Sequence, residues 1–233
     1  MSPEGAPSPP EAFRDLLAAS APQFGLSLPP ERFDALSRFL AELDRWRRVM
    51  DLTGPLTAPE LADHALESAL GANLLPPAAS VLDIGSGAGF PGVPLAVCRP
   101  DLSVSALEPR SKRSEFLRHV SRSVPVSNLA VVRGRLERLE GGPFAAATSR
   151  AVGHVAELAG EAPFLAPEGL LLVWTTDEEA LSRELAPIFR LERVERVPRS
   201  RRRVIAVFRK AVGASRQGSE DGNQEVFPVE RSG

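Results

Sequence analysis

The chain has one cysteine, three histidines and almost no net charge. Each scarcity excludes something. A lone cysteine, Cys98, rules out a disulfide framework and any all-cysteine metal site. It lies within an apolar helical stretch, which reads as a core thiol rather than a nucleophile. The histidines at 64, 119 and 154 are too scattered to suggest a zinc or catalytic cluster, so no metal is expected. A formal net charge of −2 gives no global basic field to announce a nucleic acid. No apolar run approaches transmembrane length. The opening MSPEGAPSPPEAF lacks a basic region followed by an apolar one, so no secretory signal is read there. A cytoplasmic protein without membrane contact is expected. No internal repeat is visible, and no G-x-x-x-x-G-K-[ST] is present to cradle a phosphate.

What is there centres on SVLDIGSGAGFPG, residues 80–92. Val81, Leu82 and Ile84 make the short apolar run of a buried parallel strand, interrupted by Asp83. Gly85, Gly87 and Gly89 then let the backbone turn sharply and approach a ligand, with Ser86 and Phe90 among them. PGVPLAVC can open a helix, since proline is tolerated in a first turn. Strand, glycine turn and helix build a nucleotide pocket at the carboxyl ends of strands. The spacing is G-x-G-x-G rather than the dinucleotide G-x-G-x-x-G. With its preceding acid it resembles the first motif of class I methyltransferases that use S-adenosylmethionine. VSALEPR, residues 104–110, reads as the next strand, and Glu108 at its end stands where an acid takes ribose hydroxyls.

The 233 residues, 43% of them hydrophobic, suffice for one domain with an appendage. Residues 1–10 and 211–233 read as disordered tails. Residues 11–77 read as an N-terminal helical cap: a short helix at 11–20, then a strong amphipathic helix from Glu31 to Met50. Phe33, Leu36, Leu40, Leu43 and Trp46 lie on the latter's apolar face. Arg45, Arg47 and Arg48 fall in its last turn, where a favourable helix end explains them as readily as RNA does. Thr57 and Glu60 form a capping-box pattern. His64 and Glu67 share a helix face, a spacing that by itself reads as a surface contact.

Residues 78–210 read as the core. Arg110, Lys112 and Arg113 open the helix after Glu108, where positive charge opposes the dipole, so ligand or nucleic acid is a better reason for them. A third strand is expected at Leu129–Val132, followed by a turn bearing Arg135, Leu136 and Glu137 that passes the adenine end of the cofactor. Phe144–Thr148 gives a fourth strand, with Ser149 and Arg150 at its carboxyl end. A helix is expected at 153–165, a fifth strand at 169–175, and two last strands at 190–197 and 203–208. The last pair is joined by a basic turn with Arg199, Arg201, Arg202 and Arg203. The alternation predicts an α/β fold, a Rossmann-like seven-stranded sheet with an N-terminal helical extension.

Exclusion narrows the chemistry. After the fourth strand there is no Asn/Asp-Pro-Pro-aromatic motif for an exocyclic amine, and no cysteine for carbon-5 of cytosine. No obvious base serves a hydroxyl or thiol; His154 falls on the next helix. A guanine N7 needs no proton removed.

In combination the motifs resemble the bacterial small-subunit rRNA guanine-N7 methyltransferases, the glucose-inhibited division protein B family, over about residues 31–210. They comprise Trp46…Leu52-Thr53, His64 with Glu67 and Ser68, LDIGSGAGFPGVPLAV, the run from Glu108 to Leu117, Arg135 with Glu137, and Ser149-Arg150-Ala151. The resemblance implies methyl transfer from S-adenosylmethionine to N7 of one guanine in 16S rRNA, by a soluble cytoplasmic monomer acting on rRNA or the small ribosomal subunit. Asp83, Gly85, Ser86, Gly87, Gly89, Phe90, Glu108, Leu136, Glu137 and Arg150 would hold the cofactor. Arg150 is the candidate nearest the target base. Arg45, Arg47, Arg48, Lys112, Arg113, Arg199, Arg201 and Arg202 would meet RNA. Asp51 departs from the family's Asn, Glu67 and Glu108 from its aspartates, and Trp174-Thr175-Thr176 from its Lys-Gly. A methyltransferase of a small molecule or protein, or a non-catalytic RNA- or ribosome-binding protein, are the alternatives.

Overall fold

The structure, a computed structural model, describes residues 7–150 and 162–211. Seven strands form one sheet: β1 (Ser80–Ile84), β2 (Ser103–Glu108), β3 (Leu129–Arg133), β4 (Phe144–Arg150), β5 (Leu165–Thr175), β6 (Phe189–Arg196) and β7 (Val204–Lys210). Their order is β3-β2-β1-β4-β5-β7-β6. β1 to β5 run parallel, and β7 is antiparallel to both β5 and β6. β1 has β2 on one side and β4 on the other, so the chain changes direction across it. That switch opens a crevice at the carboxyl ends of β1 and β4.

The described helices are α1 (Pro10–Ser20), α2 (Pro30–Trp46), α3 (Ala58–Leu70), α4 (Gly92–Cys98), α5 (Ser111–Ser123) and α6 (Glu178–Leu185). Proline stands at the start of α1 and α2, where a missing N–H costs nothing. The Thr57–Glu60 capping box forms: Thr57 N donates to Glu60 Oε2 at 2.7 Å and Glu60 N to Thr57 Oγ1 at 3.4 Å.

Alternation along β1 divides the core. Val81 joins Phe13, Leu40, Leu61, Leu95 and Phe116 on one face, and Leu82 joins Leu171, Leu185 and Phe208 on the other. The N-terminal helices therefore share an apolar core with the sheet. Cys98 packs beside that core, and burial pushes its thiol up to about 12.

Three expected boundaries move. α2 ends at Trp46, and Arg47 and Arg48 lie in the turn beyond it. α1 begins at Pro10, and Ser8 N already donates to Asp44 Oδ2 at 2.9 Å. β5 starts at Leu165, four residues early, because Phe144 pairs with Leu165 before a register shift restores Ala146 to Leu170. Of the helix expected at 153–165, residues 162–164 lead through a turn into β5 at Leu165, and residues 153–161, with His154, lie outside the described residues, as does Ala151. So do residues 1–6 and 212–233, most of the two stretches, 1–10 and 211–233, expected to be tails.

Candidate functional site

β1 ends at Ile84, and Gly85 and Gly87 follow with φ of 70° and 51°. Those left-handed conformations are why glycine stands at both. Gly85 N and Ser86 N donate to Leu107 O at 2.9 and 3.1 Å, tying the turn to β2. Gly87 N donates to Glu108 Oε2 at 2.9 Å, and Arg110 N to Glu108 Oε1 at 2.8 Å. Glu108 is thereby pinned between the turn and the start of α5. Each carboxylate oxygen keeps a further lone pair for a ligand.

Asp83 sits elsewhere than expected. It is wholly buried beneath the turn and does not line the cleft. Its Oδ2 accepts from Gly92 N at 3.1 Å and its Oδ1 from Thr148 Oγ1 at 2.9 Å, which fixes α4 and β4 to β1. Burial pushes its carboxyl up to about 6. Gly89 is also beneath the loop, against Phe39 and Val93. Ser86 and Phe90 do line the cleft, and Ser86 Oγ donates to Asp83 O at 3.1 Å.

The cleft of about 510 Å³ runs from Glu108 and the glycine turn to His64 and Arg150, walled by residues 52–54. Beside it lies a slot of about 230 Å³ between Ile84, Leu107, Pro109 and Leu136, with Glu137 at its rim. Gly85 and Pro109 border both spaces. An apolar slot next to a fixed carboxylate and a bare backbone turn suits a flat base, a ribose and a polar head in that sequence. These residues fit S-adenosylmethionine.

At the far end of the cleft a cluster forms that the sequence reading missed. Glu67 is 2% exposed. Its Oε2 accepts from Arg150 at 2.8 Å, and Arg203 pairs with Oε1 at 2.8 Å. Arg150 also donates to His64 O at 3.1 Å and Ser68 Oγ at 3.2 Å, and lies 5.7 Å over the Phe90 ring. The Trp174 indole donates to Glu67 O at 3.0 Å. Burial raises the Glu67 carboxyl against the pull of both guanidiniums. So His64 and Glu67 are no surface pair: their helix face is turned into the molecule. The shared helix face of His64 and Glu67 was the available signal, and its partners are distant in the chain: Arg150 ends β4 and Arg203 lies just before β7.

The basic residues divide. Arg47 is a correction: its Nε and Nη2 donate to Asp44 Oδ1 at 2.8 and 2.6 Å, and Nη1 to Leu56 O at 2.6 Å. With its side chain 8% exposed, it holds the loop after α2 and offers RNA nothing. Arg48 pairs with the same Asp44 at 3.2 Å. Arg45 is exposed and pairs with Glu42. Arg113 reaches across the cleft to Asp51 O, at 3.1 Å from Nη2, so it faces the cleft rather than open solvent. Lys112 is exposed beside it. Val204 pairs with Thr175, so the β6–β7 turn lies at the cleft edge of the sheet. Arg201 and Arg202 are exposed there, and Arg199 pairs with Asp63 at 2.9 Å.

The family described as rRNA small subunit methyltransferase G, GidB, matches residues 32–203. The chain belongs to this family. It is similar to the ribosomal RNA small subunit methyltransferase G of Halorhodospira halophila, 35% identical over 176 residues, covering 75% of this chain and 83% of that protein. The protein of the same name from Methylobacillus flagellatus is 40% identical over 138 residues, 58% of this chain. That match spans 66% of the relative's length, just under two thirds. Among solved structures, the ribosomal protein L11 methylase of Lactobacillus delbrueckii subsp. bulgaricus matches with a TM-score of 0.52 at 14% identity, covering 64% of this chain and 79% of that one. The fold is that of class I S-adenosylmethionine methyltransferases. No described helix is long and apolar enough to cross a membrane.

Proposed function

We propose that this chain transfers the methyl group of S-adenosylmethionine to N7 of one guanine in 16S rRNA, as a cytoplasmic monomer acting on rRNA or the small ribosomal subunit. The observation that carries the reading is Glu108, held by Gly87 N at the edge of a positive-φ glycine turn, in a chain of this family. Residues 78–210 would form the cofactor-binding core and residues 11–77 the helical extension that walls the acceptor side.

Gly85, Ser86 and Gly87 would meet the methionine head with backbone groups, Glu108 the ribose hydroxyls, and Leu136 and Glu137 the adenine. The bound cofactor supplies an electrophilic methyl on its sulfonium. N7 brings its own lone pair, so the chain needs no base; it positions the acceptor and excludes water. Arg45, Arg48, Lys112, Arg199, Arg201 and Arg202 would meet phosphates, and Arg113 and Arg150 the cleft's contents. RNA affinity should then fall steeply with salt as phosphate counterions are released.

The test is transfer of labelled methyl to small subunits lacking the modification, followed by identification of the labelled nucleoside. Label in 7-methylguanosine at one position supports the reading. No label, with the cofactor still bound, moves the search to small molecules and proteins on the same fold.

A further inference from the structure

We propose that His64 is the residue that recognises the acceptor base, donating from Nδ1 to the guanine O6 that lies beside the methylated nitrogen. The inference rests on the guanine-N7 reading above and adds the group that selects the base. Three observations lead to it.

The first is the tautomer. Arg203 Nη1 lies 3.4 Å from His64 Nε2. A guanidinium can only donate, so the contact favours the tautomer with the lone pair on Nε2 and the proton on Nδ1. Burial together with Arg150 and Arg203 holds the His64 pKa down to about 4, so the ring stays a neutral single donor.

The second is direction. His64 lines the cleft, packed edge-on to Phe90 with ring centroids 6.0 Å apart. Among the described residues nothing accepts from Nδ1, nor is Nδ1 among the buried polar atoms lacking a partner. Its N–H therefore opens into the cleft.

The third is how the neighbouring cations are tied. Arg150 Nη1 is committed to His64 O and Ser68 Oγ, and Nη2 donates to Glu67. Arg203 is committed to Glu67 and to His64 itself. The strong cations of this wall hold the wall together, and the imidazole faces inward.

The chemistry of the edge completes the argument. A base presenting N7 to a methyl donor presents its Hoogsteen edge, where guanine carries the O6 acceptor and adenine an N6 amino donor. A fixed N–H accepts the first and opposes the second. A site built around one hydrogen bond rejects the analogue lacking its partner, because a buried donor is left unmade.

The experiment uses small subunits reconstituted with guanosine, inosine or 2-aminopurine riboside at the modified position. Inosine keeps O6 and 2-aminopurine lacks it; both keep N7. The wild type should methylate guanosine and inosine, and 2-aminopurine with a kcat/KM at least about 10-fold lower. His64→Phe should lose about 10- to 100-fold on guanosine and no longer distinguish inosine from 2-aminopurine. His64→Asn carries an amide nitrogen at the Nδ1 position and should restore the discrimination. His64→Gln carries it at the Nε2 position and should not. Discrimination surviving in His64→Phe and His64→Gln would overturn the proposal while leaving the methyltransferase reading intact. A wild type that labels no guanosine would overturn both.

Discussion

Glu108 and Glu67 are both buried acids at the cleft, 3% and 2% exposed, and they are held in opposite ways. Glu108 is fixed by neutral backbone N–H groups, from Gly87, 21 residues before it, and from Arg110, two residues after it. Glu67 is fixed by two guanidiniums, one of them 83 residues away on β4. A carboxylate held by backbone N–H groups keeps spare lone pairs for a ligand. A carboxylate between two cations is spent on the protein, and its work is to aim its neighbours. One end of the cleft is thus built to bind and the other to shape.

The comparison can be broken most severely at Glu67. Glu67→Ala leaves Arg150 and Arg203 facing each other without their shared anion, and breaking a buried pair from one side costs about 3–5 kcal/mol. Urea unfolding should register that loss. Arg203 is 38% exposed and can turn to water, so most of the loss belongs to Arg150. A Glu67→Ala chain as stable as the wild type would mean the cluster is not what holds α3 to the sheet.

The glycine end has its own buried acid, and pH probes it. Asp83 titrates near 6 in the fold against an ordinary value of 3.8, so between those pH values the folded chain holds a proton that the unfolded chain releases. Stability from this group is therefore lost as pH rises from about 4 to 6, by up to about 3 kcal/mol. Asp83→Asn should lack that slope when the two chains are unfolded in urea at pH 4.5 and pH 7. Parallel curves would mean that Asp83 titrates normally.

A smaller effect sharpens the other end. A Cβ on Gly71 would lie 2.6 Å from Trp174 Cη2, and that indole is buried and tied to Glu67 O. Gly71→Ala should cost about 1–3 kcal/mol by overpacking, with the shift passed to the cluster through the indole. Methyl-transfer kinetics should then change in kcat or acceptor KM while cofactor affinity holds.

The same contrast explains what was legible in the sequence. The glycine turn, Glu108, the capping box at Thr57 and the strand–helix alternation are local patterns, and each forms where its spacing puts it. Glu137 and Leu136 reach the apolar slot beside the cleft for the same reason. What stayed hidden depends on partners far apart in the chain. Arg47 reads as one of three helix-end cations until Asp44 and Leu56 O enclose it. His64 reads as a surface residue until β4 and β7 bring Arg150 and Arg203 to it. Trp174, at the strand end where the resemblance expects Lys-Gly, becomes an anchor for α3. Asp83 has the right residue type in the right motif, yet its strand parity turns it beneath the loop.

The account's central claim is that one end of the cleft holds the cofactor and the other the acceptor. The most direct measurement is a calorimetric titration of S-adenosylmethionine into the wild type, Glu108→Ala and His64→Phe. Losing the charge-assisted bonds of one carboxylate should weaken binding about 100-fold in Glu108→Ala, while His64→Phe binds as the wild type does. Equal losses in the two variants, or an unchanged affinity in Glu108→Ala, would contradict the division.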